Sequence, residues 1–129
     1  MSEPPAKAVV LSADESVRCR VAYWLRESGH HAIEAPTGYA ARRAIVGGAT
    51  KLLITDRLLP PWPGLDTIYS LKQAVSSLTV GFLGDGVPDN RRLALQAGAD
   101  LILPSPLRRV HVLDAIAIAD PAGRFACAS

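Results

Sequence analysis

The chain has 129 residues, 49% of them hydrophobic and 20% charged, which is one domain's length and excludes an unfolded polar tail. Aromatics are only 5%, so the core has to be aliphatic, and 14 basic against 12 acidic side chains leave a net charge of +2, too little asymmetry to argue for a nucleic-acid footprint. No window reaches ~18 apolar residues without a charge, and the N-terminus lacks the segments of a signal peptide, so a cytoplasmic chain without membrane contact is expected.

Residues 1–6 are polar with a Pro pair and read as a loose N-terminus. The run Lys7–Leu11 is short, apolar and β-branched and predicts a buried strand. Ser12–Ser16 supply cap-type residues. A helix follows in which Val17, Val21, Trp24 and Leu25 recur at helical spacing, while Arg18, Arg20, Arg26 and Glu27 take the other face and Gly29 ends it. His31–Ala35 predicts a second strand, and Pro36-Thr37-Gly38 leads to a helix near Tyr39–Val46 that Gly47-Gly48 stops.

Lys51–Thr55 is a third apolar run, ending in Asp56. Pro60, Pro61 and Pro63 forbid regular structure in the loop that follows, and a helix restarts after Gly64 and continues through Ile68, Leu71 and Val75. Thr79–Leu83 predicts the fourth strand and Gly84–Val87 a loop. Pro88 suits a first helical turn, and Arg91–Ala97 ends at Gly98. Leu101–Leu103 is the fifth strand. Pro104-Ser105-Pro106 turns into a last helix, Leu107–Ala119, leaving 120–129 as a tail.

Five strands thus alternate with five helices, and each strand is continuous in its hydrophobicity, as in a parallel sheet covered on both faces. The expected fold is α/β: a flavodoxin-like doubly wound (βα)5 sandwich over residues 7–119, its parallel five-stranded sheet in the order 2-1-3-4-5. In such sheets the functional crevice lies at the carboxyl ends of the strands where the order reverses, here between the first and third. The loops 12–16, 56–63, 83–88 and 103–107 border it.

Asp56 ends an apolar strand at that crevice, where a carboxylate serves as nucleophile, metal ligand or helix cap. Asp56, Pro60 and Gly64 stand four and four apart. Arg18 and Gly29 bracket the first helix, Ala97-Gly98-Ala99-Asp100 makes a turn, and Pro106 leads into the last helix. In this order and spacing the sequence resembles the receiver domain of bacterial two-component response regulators. The resemblance implies a stand-alone, non-enzymatic receiver of a phosphorelay, which accepts a phosphoryl group on Asp56 from a sensor histidine kinase and signals by protein contact. The alternative is a pseudo-receiver, an interaction or dimerisation module with little or no phosphorylation.

The resemblance also implies a Mg²⁺ ion, with Asp14, Asp56 and the backbone carbonyl of Leu58 as candidate ligands. Ser12 and Ala13 stand where the family has its acidic pair, Leu83 where it has a Ser or Thr, Ile102 where it has a switch aromatic, and Ser105 where it has a Lys. Such groups neutralise the charge of a transferring phosphoryl, and losing one costs on the order of 10²-fold in rate or more. The Ser105–Pro106 bond is expected to be cis, as the corresponding bond usually is in the family.

The last helix is apolar on two sides: Val110, Leu113 and Ala117 are assigned to the sheet, which leaves Val112, Ile116 and Ile118 for another surface. With Arg91, Arg92 and Arg108 around them, these resemble the face many receivers use for two-fold dimers, so a homodimer through 88–97, 101–103 and 107–119 is expected. A mononucleotide binder holding a phosphate at Ser12 and Ser16 is a competing reading of the same fold. Cys19 and Cys127 have no CxxC spacing and read as free thiols, and Trp62 either anchors a partner or covers the sheet edge.

Overall fold

A parallel sheet needs strands apolar on both faces, and the apolar runs of this chain supply them. The structure is a computed structural model that describes residues 7–46, 50–56, 72, 75, 77–84 and 88–119. Its strands are β1 (Lys7–Leu11), β2 (His31–Ala35), β3 (Thr50–Thr55), β4 (Thr79–Leu83) and β5 (Leu101–Leu103). They form one parallel sheet in the order β2-β1-β3-β4-β5, as expected. β3 starts one residue before the predicted run, because Thr50 pairs with Lys7 across a register shift that separates Lys7 from Ala8.

Alternate side chains enter two cores. Val9, Leu11, Leu53, Val80 and Phe82 meet α2 (Gly38–Val46) and α3 (Pro88–Ala97) through Ala41, Ile45 and Ala94. Ala8, Val10, Leu52, Ile54 and Leu103 meet α1 (Glu15–Glu27) and α4 (Arg109–Ala119) through Val21, Leu25, Val112 and Ile116. The expected helix after Gly64 lies outside the described residues except for Lys72 and Val75. No helix among the described residues is long and apolar enough to cross a membrane.

The stop signals work through backbone geometry. Gly29 (φ 87°) donates to the Arg26 carbonyl and His30 to that of Leu25, while Gly98 (φ 112°) donates to Leu95 and Ala99 to Ala94. Both are paired C-terminal closures that require a left-handed residue, hence glycine. At the other ends, Thr37 Oγ1 accepts the Ala40 amide of α2 and Asp14 Oδ1 accepts the Ser16 and Val17 amides of α1, satisfying donors that have no partner within the helix.

Three expectations are corrected. The last helix begins at Arg109, not Leu107: His111 Nδ1 accepts the Arg108 amide and so closes the helix start there, while Leu107 packs against the α1/α4 core. Val112 and Ile116, assigned to a dimer face, are 0% and 5% exposed and face the sheet, and it is Val110 (53%) and Ile118 (52%) that point outward. The reason is that α4 is apolar nearly all round, so its sequence carries no stripe to fix its phase. Arg18, assigned to the solvated face of α1, has a side chain only 14% exposed. Its Nη1 donates to the Ser12 carbonyl at 2.9 Å.

Candidate functional site

The order of the sheet reverses between β1 and β3, and their register decides what meets there. Leu11 pairs with Thr55, so the next residues of the two strands, Ser12 and Asp56, leave the sheet side by side. The Asp56 amide donates to the Leu11 carbonyl at 3.4 Å, and the Ser12 amide donates to the Ala35 carbonyl at 3.2 Å. Ser12 is fully buried. Its hydroxyl donates to Asp56 Oδ2 at 2.8 Å and accepts the Asp14 amide at 3.1 Å. With the Arg18 guanidinium on its carbonyl, each polar group of Ser12 has a partner, and the direction of its hydroxyl hydrogen is set.

Behind this pair stands Glu34 of β2. Arg18 Nε lies 3.7 Å from Glu34 Oε1 and Arg26 Nη1 3.8 Å from Oε2, while Arg26 Nη2 donates to the Ala32 carbonyl. Cys19 Sγ lies 3.6 Å from Glu34 Oε1. Desolvation, with the Glu34 carboxylate next, pushes this thiol above its ordinary value.

In front of the pair, at the carboxyl ends of the strands, Val17, Arg20, Asp56, Leu83, Gly84, Leu107 and the Pro104-Ser105-Pro106 turn line an open crevice of about 430 Å³. The Ser105–Pro106 bond is cis, as expected. Asp56, Leu83 and Ser105, separated by up to 49 positions in the chain, therefore share one crevice. Ile102 is directed to the opposite core beside its β4 partner Phe82, because neighbouring strand residues point to opposite faces. A Cβ at Gly84 would lie 3.2 Å from Ile102 Cγ2, so the glycine lets the β4 exit pass close to β5.

Val17, assigned to the apolar side of the first helix, also lines the crevice, and Arg20 is the charged crevice residue that sequence reasoning missed. It stands one helical turn beyond Val17, a signal that was present in the spacing. Arg57, Leu58 and Trp62 lie outside the described residues. Arg91, Arg92 and Arg108 are exposed and away from the crevice lining, and Arg92 pairs with Asp89 at 3.2 Å.

A Mg²⁺ ion requires a near-octahedral shell of oxygens, some of them carboxylate. Here the hydroxyl hydrogen of Ser12 is aimed at Asp56, Ala13 brings no side-chain donor, and Asp14 Oδ1 holds the amides of α1. Among the described residues no group of three or more His, Cys, Asp or Glu side chains is assembled. These residues do not fit the ion. Among the described residues the crevice offers the positioned Asp56 carboxylate, the Arg20 guanidinium, the hydroxyl of Ser105 and an apolar wall of Leu83, Val17 and Leu107.

No protein-family model matches the sequence, and no curated protein sequence does. Solved structures match well. A response regulator receiver domain protein from Clostridium thermocellum superposes with a TM-score of 0.78 at 24% identity, covering 91% of this chain and 95% of that one. A putative response regulator from Chloroflexus aurantiacus J-10-fl gives 0.79 at 22% identity, over 90% and 98%. A CheY-like receiver domain protein from Methanospirillum hungatei JF-1 gives 0.79 at 17% identity, over 93% and 97%. At these identities the likeness is one of fold, and the fold of this chain is that of the response regulator receiver domain.

Proposed function

We propose that this chain is a pseudo-receiver, a signalling module with the receiver fold that acts by protein contact in the cytoplasm, with little or no phosphorylation of Asp56. The observation that carries the reading is the 2.8 Å hydrogen bond from Ser12 to Asp56. A carboxylate at position 12 would help to hold a cation beside the acceptor; a hydroxyl takes its place and bonds the acceptor itself. Leu83 and Ser105 supply neither the strand-end hydroxyl nor the ammonium that would share the charge of a phosphoryl group. No switch follows either, since Leu83 and Ile102 provide no hydroxyl or aromatic for a phosphate to recruit.

The partners proposed are a sensor histidine kinase and a second copy of the chain. The dimer face now consists of Leu95, Val110 and Ile118, all exposed, with Arg91, Arg92 and Arg108; a receiver domain of similar fold is known as a dimer, the beryllofluoride-activated NtrC4 receiver. Light scattering at high micromolar concentration tests the dimer, and a monomeric mass rules it out.

The second reading, a phosphorelay acceptor, is favoured by Asp56 itself, which is exposed at the crevice with Arg20 lining the same space. Incubation with acetyl phosphate and Mg²⁺ followed by Phos-tag electrophoresis separates the two. The pseudo-receiver gives no retarded band. A retarded band that Asp56→Ala abolishes replaces this reading with the acceptor one.

A further inference from the structure

We propose that a fixed relay, Glu34–Arg18–Ser12–Asp56, does in this chain what a divalent cation does at a carboxylate cluster: it holds the Asp56 carboxylate in place and makes the crevice indifferent to Mg²⁺.

The two inner links are hydrogen bonds, and the outer one is an ion pair in which Arg18 Nε makes no hydrogen bond. Glu34 Oε1 lies 3.7 Å from Arg18 Nε, Arg18 Nη1 donates to the Ser12 carbonyl at 2.9 Å, and Ser12 Oγ donates to Asp56 Oδ2 at 2.8 Å. The Ser12 backbone is also pinned by its amide bond to Ala35 and its hydroxyl by the Asp14 amide. Ser12 is fully buried, so water does not compete for its hydroxyl, and a buried hydroxyl without a partner is costly. The hydroxyl hydrogen therefore stays on Asp56, and a cation approaching that oxygen meets the positive end of an O–H bond. Among the described residues the charge count agrees: no cluster of three carboxylates is assembled that would need a cation to neutralise it, and Asp56 faces a hydroxyl donor instead.

Arg18 acts here as a positioning residue. It touches neither Asp56 nor the crevice lining, and it sets Ser12 from behind. Glu34 holds Arg18 across the gap between β2 and α1, so the outer strand of the sheet takes part in positioning the crevice carboxylate.

The relay deepens the pseudo-receiver reading and has a separate test. Labelling of Asp56 in the presence of EDTA would end that reading and leave the relay standing; cation binding at Asp56 would end the relay. The experiment is an NMR titration of the full chain with Mg²⁺, with Mn²⁺ as the paramagnetic probe. The Ser12 and Asp56 amide resonances should stay unshifted and unbroadened up to roughly 10 mM Mg²⁺, and the double variant Ser12→Asp, Ala13→Asp should show saturable broadening by Mn²⁺. Saturable shifts of these two amides in the unaltered protein overturn the proposal.

The positioning role is read from the Asp56 side-chain ¹³Cγ resonance at neutral pH, which a merely structural residue would not move. Ser12→Ala should shift it, Ser12→Thr should retain it, and Arg18→Met should shift it in the direction of Ser12→Ala while the methyl resonances of Val10 and Ile54 keep their positions. An Asp56 resonance unmoved in Ser12→Ala or in Arg18→Met overturns the relay.

Discussion

Lys72 Nζ lies 2.8 Å from Asp100 Oδ1 and 2.7 Å from Oδ2, so the lysine grips both oxygens of the carboxylate that precedes β5. Asp100 Oδ2 also accepts the Val80 amide at 2.8 Å, and the Asp100 amide returns a bond to the Val80 carbonyl at the same distance. The aspartate thus closes the turn after α3 onto β4 and ties it to Lys72.

Removing the two partners should have unequal effects. Asp100→Ala leaves the Val80 amide without its side-chain acceptor and the ammonium without its anion, and should cost about 1–3 kcal/mol. Lys72→Met removes a partly exposed charge but leaves the Val80 bond, and should cost only about 0.2–1 kcal/mol. Urea unfolding of both variants decides it: equal losses would mean that the Val80 bond contributes nothing.

The face that α4 turns to the sheet is a second point of test. Ile116→Ala removes a side chain that is 5% exposed in the α1/α4 core and should destabilise by about 2–5 kcal/mol. Ile118→Ala, on the outer side, should stay within about 0.5 kcal/mol when unfolding is followed at a protein concentration low enough to keep the chain monomeric. The reverse order in thermal or urea unfolding would return Ile116 to the surface.

These two residues also mark where sequence reasoning stops. The strands were legible because runs such as Lys7–Leu11 and Thr79–Leu83 are apolar on both faces, and the ends of α1 and α3 because only glycine suits the positive φ of Gly29 and Gly98. The phase of α4 was not, since Val110, Val112, Leu113, Ala115, Ile116, Ala117 and Ile118 leave no polar stripe and only contact with β3, β4, β5 and α1 selects the inner side. At the crevice, Asp56, Leu83 and Ser105 were legible by position. The Ser12 hydroxyl bond was not, because it depends on the pairing of Leu11 with Thr55, which no local pattern encodes. Arg18 and Arg20 are two positions apart and both basic, so charge alone put them on one face although one is nearly buried and the other lines the crevice.

Gly81 is a packing requirement of the sheet. A Cβ there would come within 2.7 Å of Leu103 Cδ1 and 3.4 Å of Leu101 Cδ2, and Leu103 is 1% exposed and enclosed by the α1/α4 core. Gly81→Ala should therefore destabilise by about 1–3 kcal/mol through overpacking. Adding Leu103→Val should recover part of that loss in urea unfolding; a double variant no more stable than the sum of the single ones would place the strain elsewhere.

Leu83 gives a test of how far one residue accounts for the crevice. It lies at the end of β4, buried in the α1/α4 core, and its side chain also lines the crevice. Leu83→Thr should lower stability by about 1–3 kcal/mol through lost apolar burial. It should not by itself produce labelling of Asp56 by acetyl phosphate, because Ser105 still leaves no ammonium and Ser12 still occupies the carboxylate. A retarded Phos-tag band in this single variant would mean that the hydroxyl alone had been limiting.

Cys19 reports on Glu34 from the outside of α1. Desolvation and then the neighbouring carboxylate disfavour the thiolate and raise the thiol above its ordinary value, and the thiolate is the form that alkylates. At any pH below its midpoint a smaller fraction is thiolate, so Cys19, although exposed, should react with iodoacetamide more slowly than free cysteine near neutral pH, and its rate should climb with a midpoint above that of the free amino acid. Glu34→Gln removes the negative charge and should move the midpoint down and speed the reaction, measured in a Cys127→Ser background so that one thiol is followed. The same variant frees Arg18 and Arg26 from their carboxylate, and the unpaired guanidinium of Arg18 beside Cys19 acts in the same direction by favouring the thiolate. A midpoint that does not fall in Glu34→Gln would show that the Glu34 carboxylate does not raise this thiol.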